Sequence, residues 1–230
     1  MKISIIIPTL NEAENLPKLL KFLKTNPYKS IEIIIVDAAS TDNTLEIAKK
    51  FEDVEIISQN TRNRAVQMNL GAKAATGDLL YFVHADVLPP ENFAKDIIEA
   101  INAGYELGCY RFTFDKKSVM LRFNAWWTRF NFMFCRGGDQ TLFVTPSVFE
   151  ELNRFNESYV IMEDFDFIKR ARKKYRFKIL PKSVVVSARK YKNNSYFKVN
   201  MVNLYSYWRF QFGVSPEKIK SFYQRSLNQW

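Results

Sequence analysis

Four short aliphatic runs, Ile3 to Ile7, Ile31 to Val36, Val54 to Ser58 and Asp78 to Val83, alternate along the first third of the chain with stretches of helical period. The intervening stretches are Glu12 to Leu23, where Leu16, Leu19, Leu20 and Leu23 share one face, then Thr41 to Phe51 and Arg64 to Ala75. Strands that are apolar on both faces and separated by helices require a parallel sheet with helices packed on each side. The pattern therefore predicts an α/β fold, Rossmann-like in its first part, with a mostly parallel central sheet.

The second half is less regular. The sequence predicts a helix over Phe93 to Asn102, a mixed or antiparallel strand over Leu107 to Phe114, and a short strand over Thr141 to Thr145. A helix over Asp164 to Lys174, closing strands at Phe177 to Leu180 and Val184 to Val186, and a terminal helix over Phe197 to Phe212 follow. No repeat or low-complexity linker interrupts these elements, and 230 residues suit one well-cored domain. The aromatic stripes Phe123, Trp126, Trp127, Phe130, Phe134 and Tyr205, Trp208, Phe212 are expected to pack in the core or between helices. The second reading of those stripes is an interfacial face that docks on anionic lipid.

Charge narrows the partner class. Thirty-four Lys+Arg against 24 Asp+Glu leave a net charge of +10, which favours a phosphate-bearing partner. The excess is local, because Phe167 to Pro216 holds 13 Lys+Arg and no acid. Two cysteines and a single histidine provide no zinc-ligand spacing and no disulfide framework. Met1-Lys2 precedes only a short apolar run cut off by Pro8, and no run approaches the about 20 apolar residues of a membrane span. The expectation is a cytoplasmic protein, with a peripheral site on the inner face of the membrane as the second possibility.

In parallel α/β sheets ligands bind beyond the carboxyl ends of the strands. Those positions are polar here: Pro8-Thr9-Leu10-Asn11-Glu12 after the first strand, Asp37-Ala38-Ala39-Ser40-Thr41-Asp42 after the second, and His84-Ala85-Asp86 after the fourth. Thr9 or Asn11, and Ser40 or Thr41, are ordinary helix-capping residues, whereas Asp37 and Asp86 have no evident capping duty. Neither G-x-x-x-x-G-K-[ST] nor a G-x-G-x-x-G after a strand occurs, so phosphates must be met by a metal and by basic side chains. A carboxylate at the mouth of the sheet suits Mn²⁺ or Mg²⁺, which need only one or two protein oxygens when substrate phosphates complete the shell. Arg62, Arg64 and Gln67 stand at or near the start of the third helix, where backbone N–H groups favour anions. Arg189 after a late strand is either a clamp on diphosphate or a surface ion pair. His84 either serves a ligand or satisfies a neighbouring backbone group.

Ile-Ile-Ile-Pro-Thr-Leu-Asn-Glu (5–12), Val-Asp-Ala-Ala-Ser-Thr-Asp-Asn-Thr (36–44), Gly-Asp-Leu-Leu-Tyr-Phe-Val-His-Ala-Asp (77–86) and Met-Glu-Asp-Phe-Asp (162–166) resemble glycosyltransferase family 2. Arg64 to Asn69, Gly138-Asp139-Gln140, Ser187-Ala188-Arg189 and Gly213 to Pro216 resemble a compact bacterial subgroup of it. The resemblance implies a GT-A fold and sugar transfer from a nucleotide diphosphosugar, a UDP-sugar first, to a hydroxyl acceptor. It implies one domain over 1–230, with 1–104 as the nucleotide-binding half, 105–194 as the acceptor and catalytic half, and 195–230 as a C-terminal helical segment.

Residue by residue, the resemblance places Pro8, Thr9, Asn11 and Glu12 against the nucleoside and Asp37 on base or ribose. It places Asp78 and His84 beside ribose and diphosphate, and makes Asp86 the metal ligand, the last acid of a D-x-D triplet whose first acid is here His84. Asp164 becomes the general base of an inverting transfer, with Glu163 in support and Asp166 a weaker candidate. Glu163-Asp164 also has the plainer reading of acids placed against a helix dipole. Asp139 and Gln140 are expected to line the sugar or acceptor pocket. Asn153-Arg154-Phe155 replaces the family's Gly-Gly-Phe, so acceptor specificity does not transfer. Two rival classes are a noncatalytic basic module for RNA or a membrane surface, and a sugar-nucleotide synthesising nucleotidyltransferase. Carboxylates at the strand ends repel a nucleic-acid backbone, so no nucleic acid is expected. The turn at 8–15 lacks the Gly and Lys of a nucleotidyltransferase phosphate loop.

Overall fold

The computed structural model describes residues 1–227; residues 228–230, the end of the anticipated C-terminal segment, lie outside the described residues. Strands β1 (Ile3–Thr9), β2 (Ile31–Asp37), β3 (Val54–Ser58) and β4 (Leu79–Phe82) are parallel, alternating with helices α1 (Leu16–Thr25), α2 (Thr44–Ala48) and α3 (Arg64–Ala74). Strand β5 (Val87–Leu88), helix α4 (Phe93–Asn102), strand β6 (Leu107–Phe114) and helix α5 (Val119–Trp127) follow. The chain continues through β7 (Leu142–Val144), α6 (Pro146–Glu151), α7 (Glu163–Ala171), β8 (Phe177–Val186), α8 (Tyr196–Gln211) and α9 (Pro216–Ser226). One sheet results, in the order β3-β2-β1-β4-β7-β6-β8-β5.

The parallel half is as the sequence predicts, and the sheet becomes mixed beyond β4. Strand β7 runs antiparallel to both β4 and β6, while β6 and β8 are parallel. Alternation along β1 sends Ile3, Ile5 and Ile7 into one apolar layer with α1 and α4, and Ile6 into the opposite layer with α3 and α7. Helix α3 lies close on the sheet because Gly71 has no side chain; a Cβ there would collide with Ile6 Cγ2.

Five expectations change. The two closing strands are one strand, β8, whose register against β6 slips between Tyr110/Arg111, with Leu180 and Ser183 as successive partners. Pro181 has no N–H to give a ladder, so the pairing bulges there. Helix α2 starts at Thr44 and not Thr41, because Ala39 takes a left-handed φ of 55° and the following residues bond to neighbouring loops. Helix α1 likewise starts at Leu16, next to Pro17 in its first turn, since the chain at Asn11 (φ 55°) is turned out of helical geometry. Helix α9 was not anticipated as a separate element, as only Ile219 and Tyr223 of its residues are buried. Lastly, the aromatic stripes are largely outside the core: Phe123, Trp126, Phe134, Tyr205, Trp208 and Phe212 are all exposed, between 41% and 79%. Buried Val199, Val202 and Phe210 on another face of α8 already provide its packing.

Helices α8 and α9 buttress the start of α7. Phe210 and Ile219 form a small apolar cluster with Met162, the residue before α7. Met162 has a φ of 66°, a left-handed conformation that packing must hold in a β-unbranched but bulky residue. That turn aims the start of α7 back at the carboxyl ends of the strands.

Candidate active site

Two loops form a ledge at the ends of β1 and β2. Asp37 Oδ1 accepts hydrogen bonds from Thr9 Oγ1 (2.9 Å) and Ser40 Oγ (2.6 Å), and Oδ2 accepts from the Ser40 N–H (2.9 Å). The Asn11 N–H donates to Ser40 Oγ (2.8 Å), and Asn11 Oδ1 accepts from the Thr41 N–H (2.8 Å). These side chains therefore tie loop to loop and cap no helix; the cap positions are Asn15 and Asn43. Pro8, Thr9 and Asp37 are buried beneath the ledge, where Asp37 ties Thr9 to Ser40, while Asn11 is exposed and Ser40 partly exposed above them.

An ion network closes the next stretch of the rim. Arg189 forks onto Glu12, Nη1 to Oε2 at 2.9 Å and Nη2 to Oε1 at 2.6 Å, and lies 3.2 Å from Asp86 Oδ2. This bidentate geometry joins positions 177 residues apart, and it is the ion pair, the second of the two expected readings, that the structure shows, with the Arg189 side chain 39% exposed at the rim. Burial opposes the Arg189 charge, but Glu12, Asp86 and Asp139 outweigh it and hold the guanidinium above its ordinary value. Asp86 is pushed up by burial and by Asp139, and Arg189 and His84 only partly relieve it.

A cavity of about 450 Å³ opens beside this network, lined by His84, Asp139, Glu163, Asp164, Arg64 and Lys190 among others. Helix α7 brings Glu163 and Asp164 there in its first turn, where the helix dipole favours acids. Glu163 is 2% exposed and paired with Arg64 Nη1 at 3.2 Å. Burial opposes the charge of Arg64, yet Glu163, Asp164, Asp139 and Asp86 together raise it. Asp164 is oriented by two backbone donors: the Gly138 N–H bonds Oδ2, and the Phe165 N–H bonds Oδ1 at 2.8 Å. Burial first, then the neighbouring Glu163 charge, raise the Asp164 carboxyl to about 6, against the pull of Arg64 and His84.

His84 Nδ1 stands 3.7 Å from Asp139 Oδ1. Burial would raise Asp139, but the adjacent His84 together with Lys190 and Arg64 hold it well below the usual carboxylate range. Gly138 is fixed between these groups, since a Cβ there would collide with His84 Cε1 and lie 3.3 Å from Asp164 Oδ2. Gln140 also lines the cavity; its side-chain amide is buried and makes no hydrogen bond among the described residues.

A divalent cation fits this donor set only in company with a substrate. Among the described residues no group of three His, Cys, Asp or Glu side chains converges. Asp86, however, is a partly buried carboxylate burdened by a second one, Asp139, and a cation at Asp86 relieves that burden. Mg²⁺ or Mn²⁺ needs no more than this when phosphate oxygens supply the other ligands. Arg189 is the existing competitor for Asp86.

Of the expected site residues outside the cavity wall, Asp78, Gln67 and Arg62 also take no part in the rim network of Glu12, Asp86 and Arg189. Asp78 precedes β4, so it lies at the amino end of the parallel strands, where Oδ2 accepts the Lys2 N–H at 2.7 Å. It cannot border ribose or diphosphate at the opposite end. Gln67 is buried and donates Nε2 to the Thr9 and Val36 carbonyls (2.8 and 2.7 Å), stitching β1 to β2 instead of meeting a ligand. Arg62 is exposed in the loop before α3 and does not line the cavity. Asp166 faces Arg170 at 2.7 Å, an i,i+4 pair on α7. Sequence reasoning missed Lys190, whose ammonium burial disfavours but Tyr223, Asp139 and Asp86 hold above its ordinary value. Its position next to Arg189 in the acid-free segment was the available signal. It also missed Arg136, a buried guanidinium whose Nη2 donates to the Thr128 and Phe130 carbonyls (2.7 and 2.6 Å) and so fixes the loop after α5.

Solved structures share this fold along most of the chain, and curated proteins are similar to it in sequence over part of it. The dolichyl N-acetyl-alpha-D-glucosaminyl phosphate 3-beta-D-2,3-diacetamido-2,3-dideoxy-beta-D-glucuronosyltransferase of Methanococcus voltae is 37% identical over 105 residues, 42% of this chain and 33% of that protein. The chain spans only about a third of that relative's length. Staphylococcus aureus TarS, solved in complex with UDP-GlcNAc, superposes with a TM-score of 0.67 at 19% identity, covering 99% of this chain and 72% of that one. The mannosyltransferase PcManGT of Pyrobaculum calidifontis, solved with GDP-Man and Mn2+, gives 0.66 at 19% identity, covering 96% and 68%. These likenesses establish the GT-A fold. The glycosyl transferase family 2 profile matches residues 4–165, the span from β1 through Glu163-Asp164. By that match, and by a fold that carries its acids to the ends of the strands, the chain belongs to glycosyl transferase family 2.

Proposed function

We propose that this chain transfers a sugar from a nucleotide diphosphosugar to a hydroxyl acceptor, with inversion at the anomeric carbon. The observation that supports this most is Asp164: a carboxylate raised to about 6, held by two backbone donors on the cavity wall. A base needs that combination of reach and matched basicity. Asp164 takes the proton of the acceptor hydroxyl as the oxygen attacks the anomeric carbon, and the nucleoside diphosphate departs from the opposite face. Glu163, held by Arg64, sets the field around Asp164 and contacts the acceptor. Asn11, Ser40 and Glu12 receive the nucleoside on the ledge. Arg189 exchanges part of its pairing with Glu12 and Asp86 for the diphosphate, and Lys190 and His84 add positive charge and a hydrogen-bonding ring beside it. A divalent cation, when bound at Asp86, supplies charge against the leaving group.

The donor complexes of the two structural neighbours, with UDP-GlcNAc and GDP-Man, support a nucleotide sugar as donor, and UDP-sugars are the first to test. The M. voltae relative is named for a dolichyl-linked sugar phosphate, which makes a lipid-linked hydroxyl the first acceptor class to test. The deciding experiment compares wild type with Asp164→Asn for nucleotide-sugar binding and for transfer. The expected result is retained binding with transfer reduced by at least about a thousandfold. Normal turnover by the variant rejects Asp164 as the base.

A further inference from the structure

The cavity opens between two helices that turn apolar surface toward solvent. On α8, Phe197, Met201, Leu204, Trp208 and Phe212 recur at helical spacing and are 45% to 79% exposed, opposite the buried stripe Val199, Val202, Phe210. On α5 and the loop after it, Val119, Phe123, Trp126 and Phe134 are 41% to 82% exposed. The two helices are neighbours: Asn124 Nδ2 donates to Asn200 Oδ1 at 2.7 Å, and the Tyr196 hydroxyl donates to Asn124 Oδ1 at 2.7 Å. Phe134 and Leu204, one from each side, are exposed and also line the cavity, so the apolar surface begins at its rim. Exposed large apolar side chains grouped on two neighbouring helices at a cavity rim mark an interaction site.

Charge selects the partner. Residues 116–138 and 195–216, which hold this surface, contain six Lys+Arg besides the buried Arg136, and no Asp or Glu. Arg129 lies over the Trp126 ring at 5.2 Å, and Arg209 over Tyr205 at 5.5 Å, so cations border the rings. Aromatic side chains at the depth of the headgroups with Lys and Arg at the phosphates are what an anionic bilayer surface accepts. No helix among the described residues is long and apolar enough to cross a membrane, so the face meets lipid lying flat.

We propose that the face formed by α5, α8 and the loop after α5 docks on an anionic lipid bilayer and presents the cavity rim to its headgroups. The docking stands apart from the transferase reading; only its use in delivering an acceptor rests on that reading. The test is co-sedimentation of the full chain with phosphatidylcholine vesicles, with and without about 30 mol% phosphatidylglycerol, at about 0.1 M salt. Binding to the anionic vesicles is expected to exceed binding to the neutral ones by about tenfold or more. The pairs Phe123→Ser with Trp126→Ser and Met201→Ser with Trp208→Ser, all outside the cavity lining, are each expected to lower it by about tenfold with an unchanged circular dichroism spectrum. Absence of vesicle binding, or binding that these variants leave intact, overturns the proposal. A concentration-dependent dimer abolished by the same variants, without vesicle binding, assigns the face to a second copy and overturns it too. Calorimetry with UDP and Mn²⁺ on the same preparation reads the transferase proposal separately.

Discussion

Asp164 is charged at a cost. The unfolded chain's carboxyl titrates near 3.8, while burial and the Glu163 charge raise the folded one to about 6. Between those values the native state holds the proton more tightly, so this group's contribution to stability falls as pH rises through the window and the full cost persists above about 6. Asp164→Asn removes that cost but sets an amide NH2, which cannot accept, against one of the Gly138 and Phe165 N–H donors, so its thermal midpoint is expected to shift by no more than roughly 2–4 °C, the equivalent of about 1 kcal/mol. The same carboxyl must be ionised to accept a proton, so kcat/KM is expected to fall about tenfold per pH unit below about 6 and to level off above it. A pH profile flat from 5 to 7 rejects that role, with buffers spanning about one unit on each side of 6. At this scale the sequence was readable where a rule tied residue to position. His84, Asp86, Glu163, Asp164 and Arg189 all reach the rim or the cavity. Asp78 fails by the same rule, since it precedes its strand. Gln67 was not readable, because its partners are backbone carbonyls of two strands distant in sequence.

Elements carry the other end of the sheet. Glu32 on β2 receives Lys2 Nζ at 2.6 Å, Thr76 Oγ1 at 2.7 Å and the Thr76 N–H at 2.6 Å, with the Ser4 hydroxyl as a further donor. Burial would raise Glu32, but these donors win and hold it at about 2, below the ordinary 4.5. A depressed carboxyl stabilises the fold above its unfolded value and loses that contribution as the pH falls from 4.5 towards 2. Glu32→Gln is therefore expected to lower stability by about 1–3 kcal/mol at pH 7 and to flatten the acid limb in that window, measured by urea unfolding. Strands β1 and β2 have nearly the bounds read from the sequence, because a doubly covered strand is written as an unbroken aliphatic run, and β3, an edge strand with no fully buried residue, has the bounds read for it. Helix α9 and the bulge of β8 were not legible: a helix with two buried residues has little periodic signal, and the bulge depends on register against β6.

For the whole molecule, the net charge of +10 divides into uses. Arg189 and Lys190 of the acid-free segment reach the site, Lys182 pairs with Asp96 at 2.6 Å, and Lys174 pairs with Glu151 at 3.2 Å. Around the cavity and its rim, Glu12, Asp86, Asp139, Glu163 and Asp164 meet Arg64, Arg189 and Lys190, a balance suited to a substrate that brings both phosphate charge and a cation. Aromatic content was legible and its placement was not, since periodicity alone does not say which of two apolar stripes on α8 turns inward. Isothermal titration calorimetry of the wild-type chain with UDP and with GDP, each with Mn²⁺ and with Mg²⁺, addresses the donor site directly. Saturable binding of at least one diphosphate is expected, in the micromolar range of about −8 kcal/mol, weakened about tenfold or more by Asp86→Asn. The absence of binding for either diphosphate with either metal contradicts the nucleotide-sugar site.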